Sequence, residues 1–262
     1  CSASATDADA VDTATVTYAW SDGSTGGSYT VTSADAVGGS ITCTATADDG
    51  DGGTDSGTAS ATVSNTAPVM ASVAVTPSTG RVGDVLTCSA SATDADGGTP
   101  TITYAWTGGA TGATYTIPDT DDPGDVLTCT ATASDADGGT DSGTASATVE
   151  NTAPVLGTVS ISPASANNDD TLTCSASATD ADGGTPTVTY AWSGSSAGGL
   201  GTGGSLDLST TTVASGETVT CTATADDGDG GTDTGTAALT TANRAPTVSV
   251  SLTPSSGAIT SD

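Results

Sequence analysis

The chain has 262 residues, a formal charge of −29, two basic residues (Arg81 and Arg244), no His and no Phe. Nucleic acid and anionic membrane surfaces are gripped by basic footprints, so both are excluded as partners. His-based acid–base or transition-metal chemistry and Schiff-base chemistry by Lys have no residues to use.

Gly, Ser, Thr, Ala and Asp dominate, which by itself would read as disorder. Regularly placed Trp, Tyr, Cys and alternating aliphatics argue otherwise. No run of about twenty apolar residues exists, so membrane insertion of this segment is not expected. One passage is written three times. Leu86-Thr87-Cys88-Ser89-Ala90-Ser91-Ala92-Thr93-Asp94-Ala95-Asp96-Gly97-Gly98 has copies beginning at Cys1 and Cys174. In register with it, Tyr18 and Trp20 fall on Tyr104 and Trp106 and on Tyr190 and Trp192, the Trp residues 86 apart both times. A second cysteine follows at Cys43, Cys129 and Cys221, and an Asn-x-Ala-Pro tetrapeptide at residues 65–68, 151–154 and 243–246 closes each copy. The third copy carries an insertion around residues 194–208 that reads as a Gly- and Ser-rich surface loop. A fixed period of this length predicts a tandem array of small domains. They are residues 1–64 (lacking a first strand), 65–150 and 151–242, with residues 243–262 as the first strand of a following repeat or a donor strand.

In the complete unit, residues 69–76 predict a first strand, ended by a turn cluster at residues 77–80. Over residues 82–93, Leu86, Cys88, Ala90 and Ala92 share one face and Thr87, Ser89, Ser91 and Thr93 the other, the period of a half-buried strand. Residues 94–98 are a loop, and residues 101–107 a third strand with Ile102, Tyr104 and Trp106 on one face. Residues 114–117 form a short strand, residues 119–124 an acidic turn, and residues 126–133 a strand with Leu127, Cys129, Ala131 and Ala133 inward. A second acidic loop at residues 135–141 leads to a last strand near residues 144–149. The Trp and Tyr at positions 20, 106, 192 and 18, 104, 190 are the expected core anchors.

Some seven short strands, with a Cys on the second, a Trp on the third and a Cys on the penultimate one, describe an immunoglobulin-like sandwich. Through its L-T-C-x-A-x-A-x-D-x-D and Y-x-W motifs, the chain resembles the bacterial Ig-like and PKD-type repeats that stand in tandem on long extracellular surface proteins. It departs from antibody domains in having Ile41, Leu127 and Val219, not Tyr, two residues before the second Cys. The resemblance implies an all-β fold of tandem sandwiches of about 86 residues with one disulfide each: Cys1–Cys43, Cys88–Cys129 and Cys174–Cys221. Disulfides place the chain outside the reducing cytosol, extracellular or at a cell surface.

In such a topology the acidic loops gather where the first strand enters. Asp94, Asp96, Asp135, Asp137 and Asp141 would surround residues 65–68. Asp180, Asp182, Asp226, Asp227, Asp229 and Asp233 would surround Asn151, and the first repeat supplies Asp7, Asp9, Asp48, Asp49, Asp51 and Asp55. Clustered carboxylates with few cations suit Ca²⁺; the other reading is ordinary turn chemistry, solvated and metal-free. Asp pairs that recur in every repeat behave as structural ligands, and Ser and Thr have no base, so no enzyme is expected. The expected function is a structural shaft of an extracellular fibre, stalk or filament, with an adhesin or loop-based binding module for glycan or protein as the alternative. Partners are neighbouring repeats or identical subunits head to tail, and outward Ser and Thr can carry O-glycans. Two explanations of the unmatched ends stay open: a window through a longer array, or subunits in which residues 247–252 complete the next chain's first repeat by strand addition.

Overall fold

The computed structural model describes residues 1–8 and 13–251, so Asp9 and Leu252 lie outside the described residues. It divides into two compact units, residues 1–117 with 124–149, and residues 118–123 with those from 150 onward.

In the first unit, repeat 1 contributes β1 (Thr15–Trp20), β2 (Ser40–Asp48) and β3 (Thr54–Thr62), an antiparallel sheet in that order. Repeat 2 contributes β4 (Val69–Thr76), β5 (Thr79–Gly80), β6 (Val85–Thr93), β7 (Thr101–Trp106), β8 (Thr114–Thr116), β9 (Val126–Ser134) and β10 (Thr140–Val149). They form two sheets, β4-β6-β8 and β5-β10-β9-β7. Alternation decides which face is inward: Leu86 and Cys88 in β6, and Leu127, Cys129, Ala131 and Ala133 in β9, are buried between exposed or half-buried neighbours. Leu86, Trp106, Ile117, Leu127 and Val149 are the large apolar members of the core. At roughly 1.5–3 kcal/mol for each such side chain, this is a thin core, and the Cys88–Cys129 bond that joins the two sheets carries correspondingly more weight.

Two local expectations are corrected. Residues 79–80 are not only part of a turn: β5 runs parallel to Thr148 and Val149 of β10. Gly80 permits this, because a Cβ there would stand 3.0 Å from Ile117 Cδ1; Pro77, Ser78 and Gly80 gave a turn signal that hid the strand. Likewise β10 begins at Thr140, which pairs with Ser134, so Asp141 is a strand residue although its type reads as loop.

The second unit holds β11 (Val155–Leu156), β12 (Ser160–Ser162), β13 (Thr171–Ser175), β14 (Ala178–Thr179), β15 (Thr187–Gly194), β16 (Gly198–Thr202), β17 (Ser205–Asp207), β18 (Thr218–Asp226) and β19 (Thr232–Thr240). Its main sheets are β12-β13-β17 and β16-β15-β18-β19, with β11 and β14 paired apart. The insertion, expected as an irregular loop, is a hairpin of β15 and β16. The Glu217 carboxylate ties its turn by accepting from the Ser196 and Ala197 N–H groups at 2.6 and 2.8 Å. Beyond the hairpin, Leu206 and Leu208 enter the core. Leu206 stands opposite Leu172 as Tyr115 stands opposite Leu86 in repeat 2, so the insertion changes the surface and preserves the core position.

Each repeat has one disulfide, Cys1–Cys43, Cys88–Cys129 and Cys174–Cys221, with Cα atoms 6.4 Å apart. The Trp sits beside it: Trp20, Trp106 and Trp192 pair across the ladder with Cys43, Cys129 and Cys221. Their indole N–H groups donate to the carbonyls of Gly26, Gly112 and Gly203 at 2.8, 3.0 and 2.8 Å, which satisfies the polar tip of an otherwise apolar anchor. Tyr18, Tyr104 and Tyr190 are half-buried beside them, and the Ala3 and Ala176 N–H groups donate to the hydroxyls of Tyr18 and Tyr190.

The repeats differ along the last strand. Gly143 in β10 lies so close under β4 that a Cβ would meet Val73 Cγ2 at 2.8 Å, and Gly235 in β19 meets Val159 and Leu156 in the same way. Gly57, the corresponding residue of β3, has nothing within 4 Å. β3 is exposed along its whole length, and beside it runs an open groove of about 710 Å³.

Candidate functional site: carboxylates at the linkers

The linker at residues 65–68 and the start of β4 bring two backbone N–H groups and one side-chain amide to repeat 2, and three aspartates take them. The Thr66 N–H donates to Asp96 Oδ2, the Asn65 side-chain amide to Asp135 Oδ2 at 3.0 Å, and the Met70 N–H to Asp141 Oδ2 at 2.7 Å. The second unit repeats the set: Thr152 N–H to Asp182 Oδ2, the Asn151 amide to Asp227 Oδ2 at 2.9 Å, and Leu156 N–H to Asp233 Oδ2 at 2.8 Å.

Asp135, Asp141, Asp227 and Asp233 are each aimed through their other oxygen. Asp135 Oδ1 accepts from the Asp137 and Gly139 N–H groups at 2.9 and 2.7 Å, and Asp227 Oδ1 from those of Asp229 and Gly231 at 2.8 and 2.9 Å. Asp141 and Asp233 accept from the next residue's N–H, both at 2.8 Å. Asp94 and Asp180 accept from the N–H of Asp96 and Asp182 at 2.8 and 2.9 Å, local turns that present the following carboxylate. Asp137 and Asp229 are exposed and contribute a backbone N–H to these bonds. Asp226 is exposed and accepts from Gly228 N–H.

Hydrogen bonds to the charged form hold several of these groups below the ordinary carboxylate range. For Asp135 and Asp227 the Asn65 and Asn151 amides are the leading cause, and for Asp141 it is the Met70 N–H. Close approach is made possible by glycine. A Cβ on Gly139 would stand 2.7 Å from Ala67 Cα, and one on Gly231 2.8 Å from Ala153 Cα, both backbone atoms of the linker. In repeat 1, Asp49 binds only within its own loop among the hydrogen bonds resolved for it, to Asp51 and Gly53 N–H; Asp48 and Asp55 likewise accept from Gly50 and Ser56. Asp7, Asp48, Asp49 and Asp55 line the open groove.

Among the described residues no three Asp, Glu, Cys or His side chains stand together as a preformed metal cage. The donor chemistry nevertheless fits a hard cation. Among the described residues, the buried side-chain atoms without a hydrogen-bond partner are Asn65 Oδ1, Thr152 Oγ1, Asp180 Oδ2 and Asp182 Oδ1, all oxygens and all on residues of these linkers and loops. Asn65, Asn151, Thr66 and Thr152 were not among the residues expected to act here. The signal for the asparagines was their place at the head of every boundary tetrapeptide.

No protein-family model matches the chain, and no curated protein matches it by sequence. Solved structures align with it at low identity. The eight N-terminal Ig domains of Down syndrome cell adhesion molecule align at 16% identity and TM-score 0.38, over 88% of this chain and 35% of that one. This chain thus spans about a third of that relative's length. Three extracellular domains of mouse cadherin-23 align at 19% identity and TM-score 0.36, over 87% and 85% of the two chains. A tetra-tandem repeat from the extending region of a large adhesion protein aligns at 20% identity and TM-score 0.36, over 86% and 66%.

Proposed function

We propose that this chain is a stretch of the shaft of an extracellular fibre or stalk, with domains at residues 1–64, 65–150 and 151–242 and with Ca²⁺ neutralising the carboxylates at the linkers. The observation that carries this reading is the recurrence of the same clamp. Two linkers, 86 residues apart, each with the strand that follows, hand an Asn amide and two N–H groups to three aspartates of the following repeat. A hinge leaves such groups to water; a spacer engages them. The three disulfides support an oxidising location, and the charge of −29 favours solubility in a salty medium that screens it.

Thermal melts and electron microscopy across a calcium titration test the reading. Saturating calcium should raise the melting temperature by about 5 °C or more and reduce the spread of end-to-end lengths, with chelator reversing both. Superimposable melts and lengths would remove calcium from the function.

A further inference from the structure

Within the second unit, residues of the acidic turn at 118–123 close over the loops of repeat 3. Asp119, Asp122, Asn151, Asp180, Asp182, Asp227 and Asp229 line one cavity of about 430 Å³, and no basic side chain lines it. Asp182 is only 7% exposed; one of its oxygens takes the Thr152 N–H and the other has no partner. Beside it, Asp180 has one oxygen engaged by Asp182 N–H and the other buried and unpartnered. A buried carboxylate with an unsatisfied oxygen in an acidic cavity lined by no basic side chain is in want of a cation.

In the first unit a different turn stands at the corresponding place. Ser33 lies against Gly97 there as the Asp119 carbonyl lies against Gly183 here. One period back, Asp119 and Asp122 are replaced by Ser33 and Ala36. The turn of repeat 2 alone brings this pair of carboxylates.

We propose that the cavity lined by Asp119, Asp122, Asp180, Asp182 and Asp227 is a calcium site of higher affinity than its counterpart around Asp94, Asp96 and Asp135. This rests on the calcium reading above and adds that the sites are unequal, for a stated reason. Since Ca²⁺ accepts six to eight oxygens in irregular geometry and its affinity follows ligand charge, two added carboxylates favour it, and a roomy site disfavours the small octahedral Mg²⁺. The ligands converge as the ion binds, since no cage stands ready.

Calorimetric titration of the 262-residue chain with Ca²⁺, and with Mg²⁺ in parallel, tests this. Two classes of calcium site are expected. Asp119→Asn with Asp122→Asn should weaken the tighter one roughly tenfold or more and spare the weaker. Ser33→Asp with Ala36→Asp, on an exposed turn, should strengthen the weaker one and guards against a folding artefact in the first variant. Equal sites that respond to neither variant overturn the inequality and leave the calcium reading standing. No calcium uptake at all overturns both.

Discussion

Repeats 1 and 2 share one sheet, β1-β2-β3 matching β7-β9-β10, and a disulfide, yet their last strands live in different surroundings. In β10, Ala147 and Val149 are buried, and β4 brings Val73 and Met70 onto Gly143. β3 has the same glycine at the same place and no cover. The acidic loop follows the same division: Asp135 holds both its own loop and the incoming Asn65, whereas the bonds resolved for Asp49 stay in its own loop. The contrast teaches that the loop is a self-contained turn first. Its second oxygen makes it a clamp when a linker arrives.

The disulfides give the largest handle on that contrast. Closing loops of 41 and 42 residues is worth roughly 4 kcal/mol in the loop-entropy model. Against a typical margin of about 5–15 kcal/mol, reductant should lower the melting temperature steeply. Superimposable melts with and without reductant would show that the disulfides contribute little.

Glycine substitutions are the next test. Gly143→Ala should cost about 1–3 kcal/mol by overpacking against Val73, while Gly57→Ala should be neutral or gain about 0.5 kcal/mol by stiffening the unfolded chain. At the loops, Gly139→Ala drives a methyl into the Ala67 backbone, whereas Gly53→Ala meets only the Asp49 carboxylate, whose side chain can turn away. Thermal melts should therefore separate the two pairs in the same direction; equal losses would mean that the linker yields freely.

Acid has the smallest expected effect. Asp135, Asp141 and Asp227 titrate below the ordinary aspartate value of about 3.9 because hydrogen bonds favour their charged forms. Their contribution is present above that value and is lost as pH falls through their folded values. Stability should thus hold or improve from pH 7 to about 5, as self-repulsion declines, and then fall below about pH 4. A melting temperature still rising at pH 3 would show that the clamps add nothing to stability.

The fold was legible because its signals are local and repeated. β4 spans the residues predicted for the first strand, and alternation placed Leu86, Cys88, Leu127 and Cys129 inward before any coordinates. β5 was hidden because Gly80 is chosen for a close contact with Ile117, a reason invisible in a window of turn-forming residues. The hairpin at β15 and β16 was hidden too: Gly and Ser carry no alternation, and its turn is held by Glu217, about twenty residues away in the chain.

The acidic loops show where sequence reading stops. Their composition and period already determined that carboxylates recur beside each linker. Which oxygen meets which donor was decided by the tertiary structure: Asp141 reaches Met70 because β10 starts four residues earlier than its composition suggests, and Asp182 is buried because the chain folds the linker over it. Periodicity encodes position along a strand. Satisfaction of a donor depends on partners some 30 to 77 residues distant, and only the folded chain brings them together.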